Sequence, residues 1–279
     1  MEKYELLARQ IRHEGLVQED RFFIPNAVSE EEILSVHCSN YWDRLKNLQI
    51  TEKEMKKVGF PLSRELVDRE LDITGGTVQL AEWALKNGCG LNIAGGTHHA
   101  FTDRGEGYCL LNDQAVAIRS LQNSGMISKA LIVDLDVHQG NGSAEIFRED
   151  KTVFTFSVHG QRNYPAKKEI SDLDIAFKDG TGDNIYLSKL EEILPKLISD
   201  NKPDIIFYQA GVDPLEGDRF GRLAMTMNGL RERDEMVIKL CADLEIPIVI
   251  TMGGGYSRSI AKIINAHTQT FRLAAKYFD

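Results

Sequence analysis

The stretch Ala130-Leu131-Ile132-Val133-Asp134-Leu135-Asp136-Val137-His138 constrains this chain more than any other. Its first half reads as a strand buried on both faces. Its second half places Asp134, Asp136 and His138 where such a strand would leave a sheet. A carboxylate is rarely tolerated at the end of a buried strand without a partner. Alternation along the strand puts the three polar side chains on one side. In open α/β sheets, sites form outside the carboxyl ends of strands. An N-cap with a surface turn is the bland alternative, and it ranks well below a site.

The rest of the sequence repeats that pattern. From about residue 90, short apolar runs alternate with amphipathic segments. Strands are predicted at Leu91–Ala94, Ala130–Leu135, Val153–Val158, Ile205–Gln209 and Ile246–Met252, and helices over about 112–124, 143–148, 185–200, 226–243 and 257–275. This alternation predicts an α/β fold: a single domain over 1–279 with a central, mostly parallel sheet covered by helices on both faces. Residues 1–90 read as mostly helical. Ser29-Glu30-Glu31-Glu32 has the capping-box pattern. A longer helix is expected from Pro61-Leu62-Ser63 to Lys86, interrupted near Gly75-Gly76 and stopped at Asn87-Gly88.

Each predicted strand closes in or is followed by polar or glycine-rich residues: Gly95-Gly96-Thr97-His98-His99, Asp134 to His138, Ser157 with His159, Ala210-Gly211-Val212-Asp213-Pro214, and Gly253-Gly254-Gly255-Tyr256. A parallel sheet would gather all five at one edge. Asp136, His138 and Asp213 then form a set of two carboxylates and one imidazole. Three protein ligands with open positions suit catalytic zinc, and ferrous iron accepts the same donors. For Asp213 alone, the bland alternative is a turn aspartate before proline, and the other motifs weaken it. Of the paired histidines, one can take a proton from metal-activated water and the other can orient substrate or stabilise charge. The hydroxyl of Tyr256 can donate to a developing oxyanion. The glycine run lacks the Lys-Ser/Thr ending of a phosphate loop. Together these groups describe a hydrolase for a carbonyl compound, best an amide.

Composition narrows the partners. The net charge of −9 argues against direct nucleic-acid binding but suits a cationic peptide or amine. Four scattered cysteines without CxxC spacing read as reduced thiols. With no signal peptide and no apolar run of transmembrane length, a cytoplasmic protein without a membrane span is expected.

The motifs Gly96-Thr97-His98-His99-Ala100, Asp134 through Gly142, and Met252-Gly253-Gly254-Gly255-Tyr256, in this order, resemble the histone deacetylase family of the arginase/deacetylase fold. They are most similar to its class IV branch and bacterial relatives, and the likeness runs from Lys3-Tyr4-Glu5-Leu6 onward. It implies a zinc-dependent deacetylase or deacylase acting on acyl-lysine in proteins. Asp136, His138 and Asp213 would hold Zn2+. His98 and His99 would be the catalytic pair, with His99 the general base and acid, and Tyr256 would clamp the carbonyl. Asp134 would pair with His98, and Asn141 would touch His99. The Gly107 carbonyl would accept from the scissile amide, and Tyr108 and Tyr164 would wall the tunnel. A structural K+ would lie among Asp134, Asp136, His138, Ser157 and Val158.

Many members carry aspartate where Asn141 stands, so His99 is expected to charge less readily here. Members also carry a strand and a His/Pro-rich loop before the Lys3-Tyr4 segment, and the reading frame upstream of Met1 is expected to encode them. Deacetylation of polyamines or other small N-acyl amines is the alternative activity. A non-catalytic acyl-lysine binding module ranks lower, because every proton-transfer candidate is present. An arginase-type enzyme would need further ligands that Asp213-Pro214-Leu215 does not supply.

Overall fold

The computed structural model describes residues 2–278; Met1, Asp279 and the expected upstream strand lie outside them. Six strands form one all-parallel sheet: β1 (Cys89–Asn92), β2 (Ala130–Asp134), β3 (Val153–Gly160), β4 (Leu173–Phe177), β5 (Ile205–Gln209) and β6 (Ile248–Thr251). Their spatial order is β1-β6-β5-β2-β3-β4. From β2 the chain steps outward through β3 to β4, and from β5 it steps the other way to β6. The sheet therefore changes direction between β2 and β5, the place where an α/β sheet opens a crevice at its carboxyl edge.

Strand periodicity explains the two helical layers. Leu131, Val133, Ile206, Tyr208, Ile248 and Ile250 point into one apolar cluster, where they meet α1 (Glu2–His13), α8 (Asp183–Asn201), α9 (Met227–Asp243) and α10 (Ile260–Phe278). Their neighbours Ala130, Ile132, Ile205, Phe207 and Val249 point into the other. There they meet α2 (Glu30–Leu34), α3 (Ser39–Lys46), α4 (Glu52–Val58), α5 (Arg64–Asn87) and α6 (Asp113–Asn123). A short helix, α7 (Asn141–Ile146), follows β2. With both faces covered, the inner strands read as continuous apolar runs.

Two features differ from the expectations. Strand β4, Leu-Asp-Ile-Ala-Phe, was not predicted; it lies at the sheet edge with alternate residues exposed, so it shows a weak period-2 signal in place of an apolar run. Helix α5 runs unbroken through Gly75-Gly76. A Cβ at Gly75 would sit 2.0 Å from the Asn26 carbonyl, so the glycine lets the 26–28 segment cross the helix closely rather than breaking it. The capping box at Ser29 and the stop at Gly88 are both present. Among the described residues, no helix is long and apolar enough to cross a membrane.

Candidate metal centre and catalytic cleft

Asp136 and His138 leave β2, and Asp213 follows β5, so the two strands flanking the change of direction supply all three residues. One ligand atom from each lies within 4.8 Å of the others, and all three residues are buried. His138 Nδ1 lies 3.0 Å from Asp136 Oδ1 and 3.1 Å from Asp213 Oδ2. Burial alone would disfavour a charged imidazole. Hydrogen bonding and charge from the two carboxylates reverse this and raise the His138 pKa. For Asp213, burial and then the neighbouring Asp136 charge raise the carboxyl above its usual range. A lone pair aimed at two buried carboxylates calls for a cation between them, a proton or a metal. Asp213 Oδ2 is fully buried with no well-aligned hydrogen-bond partner, His138 Nδ1 standing 3.1 Å away. An orphaned carboxylate oxygen facing an imidazole and a second carboxylate fits a divalent metal.

Backbone amides fix the other oxygens. Val137 N donates to Asp213 Oδ1 at 2.9 Å, Gly254 N to Asp136 Oδ2 at 2.8 Å, and His138 N to Asp136 Oδ1 at 3.0 Å. The loop after β6 thus closes directly over both carboxylates. A Cβ at Gly254 would stand 2.0 Å from Asp213 Oδ2, so that approach requires glycine.

The histidine pair arrives from the loop after β1. Asp113, at the start of α6, accepts from Gly96 N, Thr97 N and Thr97 Oγ1. The amides of Gly142 and Ser143 donate to the His98 carbonyl. His98 Nδ1 lies 2.6 Å from Asp134 Oδ2, and His99 Nδ1 lies 2.6 Å from Asn141 Oδ1. The two rings are 4.1 Å apart. Their environments separate them. Burial opposes charge on His98, but Asp134's charge and hydrogen bond raise it to about 9. Burial and the neighbouring His98 and His138 charges push His99 well below the usual histidine range. The result is one ring held as imidazolium beside one held neutral.

His98, His99, Asp136 and His138 border a cavity of about 400 Å3 that also touches Gly107, Tyr108 and Tyr256; Asp213 lies behind its lining. Burial, followed by the Asp213 and Asp136 charges, raises the Tyr256 phenol well above its normal pKa and keeps its proton on. Tyr164 stands edge-on to His99 at 4.9 Å, and Tyr108 packs against Phe60 and lies 6.0 Å from Tyr256. Tyr164 Oη donates to Glu106 Oε2 at 2.7 Å, and neither residue is in the cavity lining. Asp134 pairs in register with Ser157 on β3, and the Ser157 hydroxyl lies 3.0 Å from His159 Nδ1. Phe60, Arg69, Glu70 and Arg219 also border the cavity and are absent from the expected site. They come from the helical third and a loop, where no strand end marks them.

A model of the histone deacetylase domain matches residues 1–271. The chain is 41% identical over 274 residues to an uncharacterized protein of Picosynechococcus sp., covering 98% of this chain and 91% of that protein. It is 30% identical over 279 residues to histone deacetylase 2 of Arabidopsis thaliana, covering 94% and 70%. The crystal structure of the HDA15 HD domain superposes with a TM-score of 0.82 at 22% identity, over 98% of this chain and 80% of that one. At that identity the superposition speaks for the fold.

Proposed function

The chain belongs to the histone deacetylase family, and from that premise we propose that it removes acyl groups, acetyl or longer, from lysine side chains of proteins with one zinc ion. The observation that carries this reading is the buried convergence of Asp136, His138 and Asp213 beside two histidines, one facing a carboxylate and the other an amide. When bound, the metal would polarise the scissile carbonyl and make water more acidic.

The protein's own groups supply the rest. If His99 donates its Nδ1 proton to Asn141 Oδ1, Nε2 is left with a free lone pair. The neutral ring then takes the proton of the attacking water and returns it to the leaving amine. His98, charged against Asp134, lends positive potential to the developing oxyanion. The Tyr256 hydroxyl donates to the same oxygen. The Gly107 carbonyl accepts from the scissile N–H, while Tyr108 and Tyr164 flank the lysine stem and keep water out. A structural K+ beside Asp134, Asp136, His138, Ser157 and Val158 belongs to the same reading, and the β2–β3 register that sets Asp134 beside Ser157 supports it.

The test is turnover of acyl-lysine peptides by the purified chain, with acetylated polyamines in the same panel. Chelation should abolish activity, and one equivalent of zinc should restore it. Zinc-restored activity on polyamines but not peptides would replace the lysine assignment; activity indifferent to chelation would overturn the metal.

A further inference from the structure

Beneath the metal candidates lies a charged side chain with no surface at all. Arg233, on α9, is 0% exposed. A guanidinium so placed is costly unless its donors are matched. Here they are. Nη1 donates to the Leu135 carbonyl at 3.1 Å and to the Gly211 carbonyl at 2.7 Å. Nε and Nη2 donate to Asp234 Oδ1 at 2.9 and 2.6 Å. Asp234 is anchored in turn by the Tyr208 hydroxyl from β5 and by Thr270 Oγ1 from α10, the latter at 2.7 Å.

The identity of the two carbonyls gives this network its meaning. Leu135 immediately precedes Asp136, and Gly211 stands two residues before Asp213. The strands that carry them are neighbours, but their ladder ends here: the last bond between them runs from Leu135 N to Gln209 O. Past that point no backbone–backbone bond joins the two segments directly; they are tied by Val137 N to Asp213 Oδ1, by Gly254, which donates to Asp136 Oδ2 and accepts from Val212 N, and by Arg233. One nitrogen of Arg233 spans both peptides.

We propose that Arg233 is a positioning residue for the metal centre, fixing the separation of Asp136 and Asp213 by gripping the backbone of both loops; this rests on reading those carboxylates as ligands. The planar fork matters. A guanidinium can bond two carbonyls on one side and a carboxylate on the other, whereas an ammonium on a flexible stem cannot hold all three in one geometry. Partners behind the ligands commonly set metal affinity as strongly as geometry at the ligands does.

The test uses the full chain loaded with cobalt(II), whose visible absorption reports coordination geometry. Arg233→Lys should bind cobalt about 10-fold more weakly, and Arg233→Met up to about 100-fold, the range for partners behind metal ligands. Both should show an altered absorption band. Leu121→Ala, a truncation in the opposite apolar cluster, should lower the melting temperature and leave cobalt affinity and spectrum unchanged; that contrast separates positioning from general loosening. If neither arginine variant folds, Thr270→Val and Tyr208→Phe each remove one anchor of Asp234 and should move affinity and spectrum in the same direction. A folded Arg233 variant, or in their absence both anchor variants, with the wild-type spectrum and affinity would overturn the proposal. If the wild type takes up no cobalt, or Asp213→Ala keeps it, the ligand assignment fails, and the role of Arg233 falls with it.

Discussion

Along β2 and β5, a few residues separate two kinds of interior. Ala130 to Val133 and Ile205 to Tyr208 are buried between helices, and each large apolar side chain stabilises the fold by about 1.5–3 kcal/mol. Immediately beyond, Asp134, Asp136, His138, Gln209 and Asp213 are equally inaccessible. There burial is unfavourable, several kcal/mol per charge unless each charge is matched. The same depth thus serves stability in the strand bodies and chemistry at their carboxyl edge. The difference teaches how each should respond to substitution: the body in stability, the edge in metal binding and rate.

Asp213→Ala puts the largest demand on that contrast. It should abolish metal binding, since two ligands rarely suffice. It should melt close to chelated wild type, because removing a carboxylate that burial disfavours offsets the loss of the Val137 N hydrogen bond. Metal analysis and melting curves on both proteins check this. Full occupancy in the variant would end the assignment, and a fold lost outright would place Asp213 with the strand bodies.

Tyr256→Phe comes next. Deleting one oxyanion donor lowers turnover by roughly 10²–10³. Zinc content should stay at the wild-type level, because the phenol is not among the metal candidates. Wild-type turnover would mean that Tyr256 only packs.

Much of this edge was legible before any coordinates, for a physical reason. A parallel sheet delivers every strand's exit to one side, so residues far apart in sequence, such as His98, Asp136, Asp213 and Tyr256, could be gathered by topology alone. The strand bodies were legible because burial on both faces leaves unbroken apolar runs. Strand β4 escaped because its edge position leaves half of it polar. Arg233 and Glu70 escaped because both lie inside helices, where a charged residue ordinarily means a solvated face. The unbroken α5 depends on what crosses it at Gly75, a contact with the distant Asn26 that no local pattern encodes.

The two histidines refine the comparison within the edge itself. His98 faces a carboxylate and His99 an amide. Asn141→Asp would give His99 a charged partner and raise its pKa. A base must be neutral to act, so its protonation sets the acidic limb of the pH–rate profile. Raising that pKa moves the limb to higher pH. A limb that stays in place would show that His99 is not the titrating base.

The smallest effect is expected at Glu70, a carboxyl buried inside α5 beside the cavity but outside the metal cluster. Burial raises it from 4.5 to about 7, against the pull of Arg69, whose Nη1 lies 3.3 Å away. A carboxyl with a higher pKa folded than unfolded binds more protons when folded. Its contribution is therefore greatest below the unfolded value and is lost as pH rises through about 7. At about 1.4 kcal/mol per pKa unit, the loss between pH 5 and pH 8 is roughly 1–3 kcal/mol. Glu70→Gln keeps the shape and removes the titration. It should match wild type near pH 5 and be more stable by that amount at pH 8, measured by denaturant melts at both values. A difference that does not change with pH would mean that Arg69 keeps Glu70 ionised throughout. Glu70 would then be a matched charge, like those at the carboxyl edge.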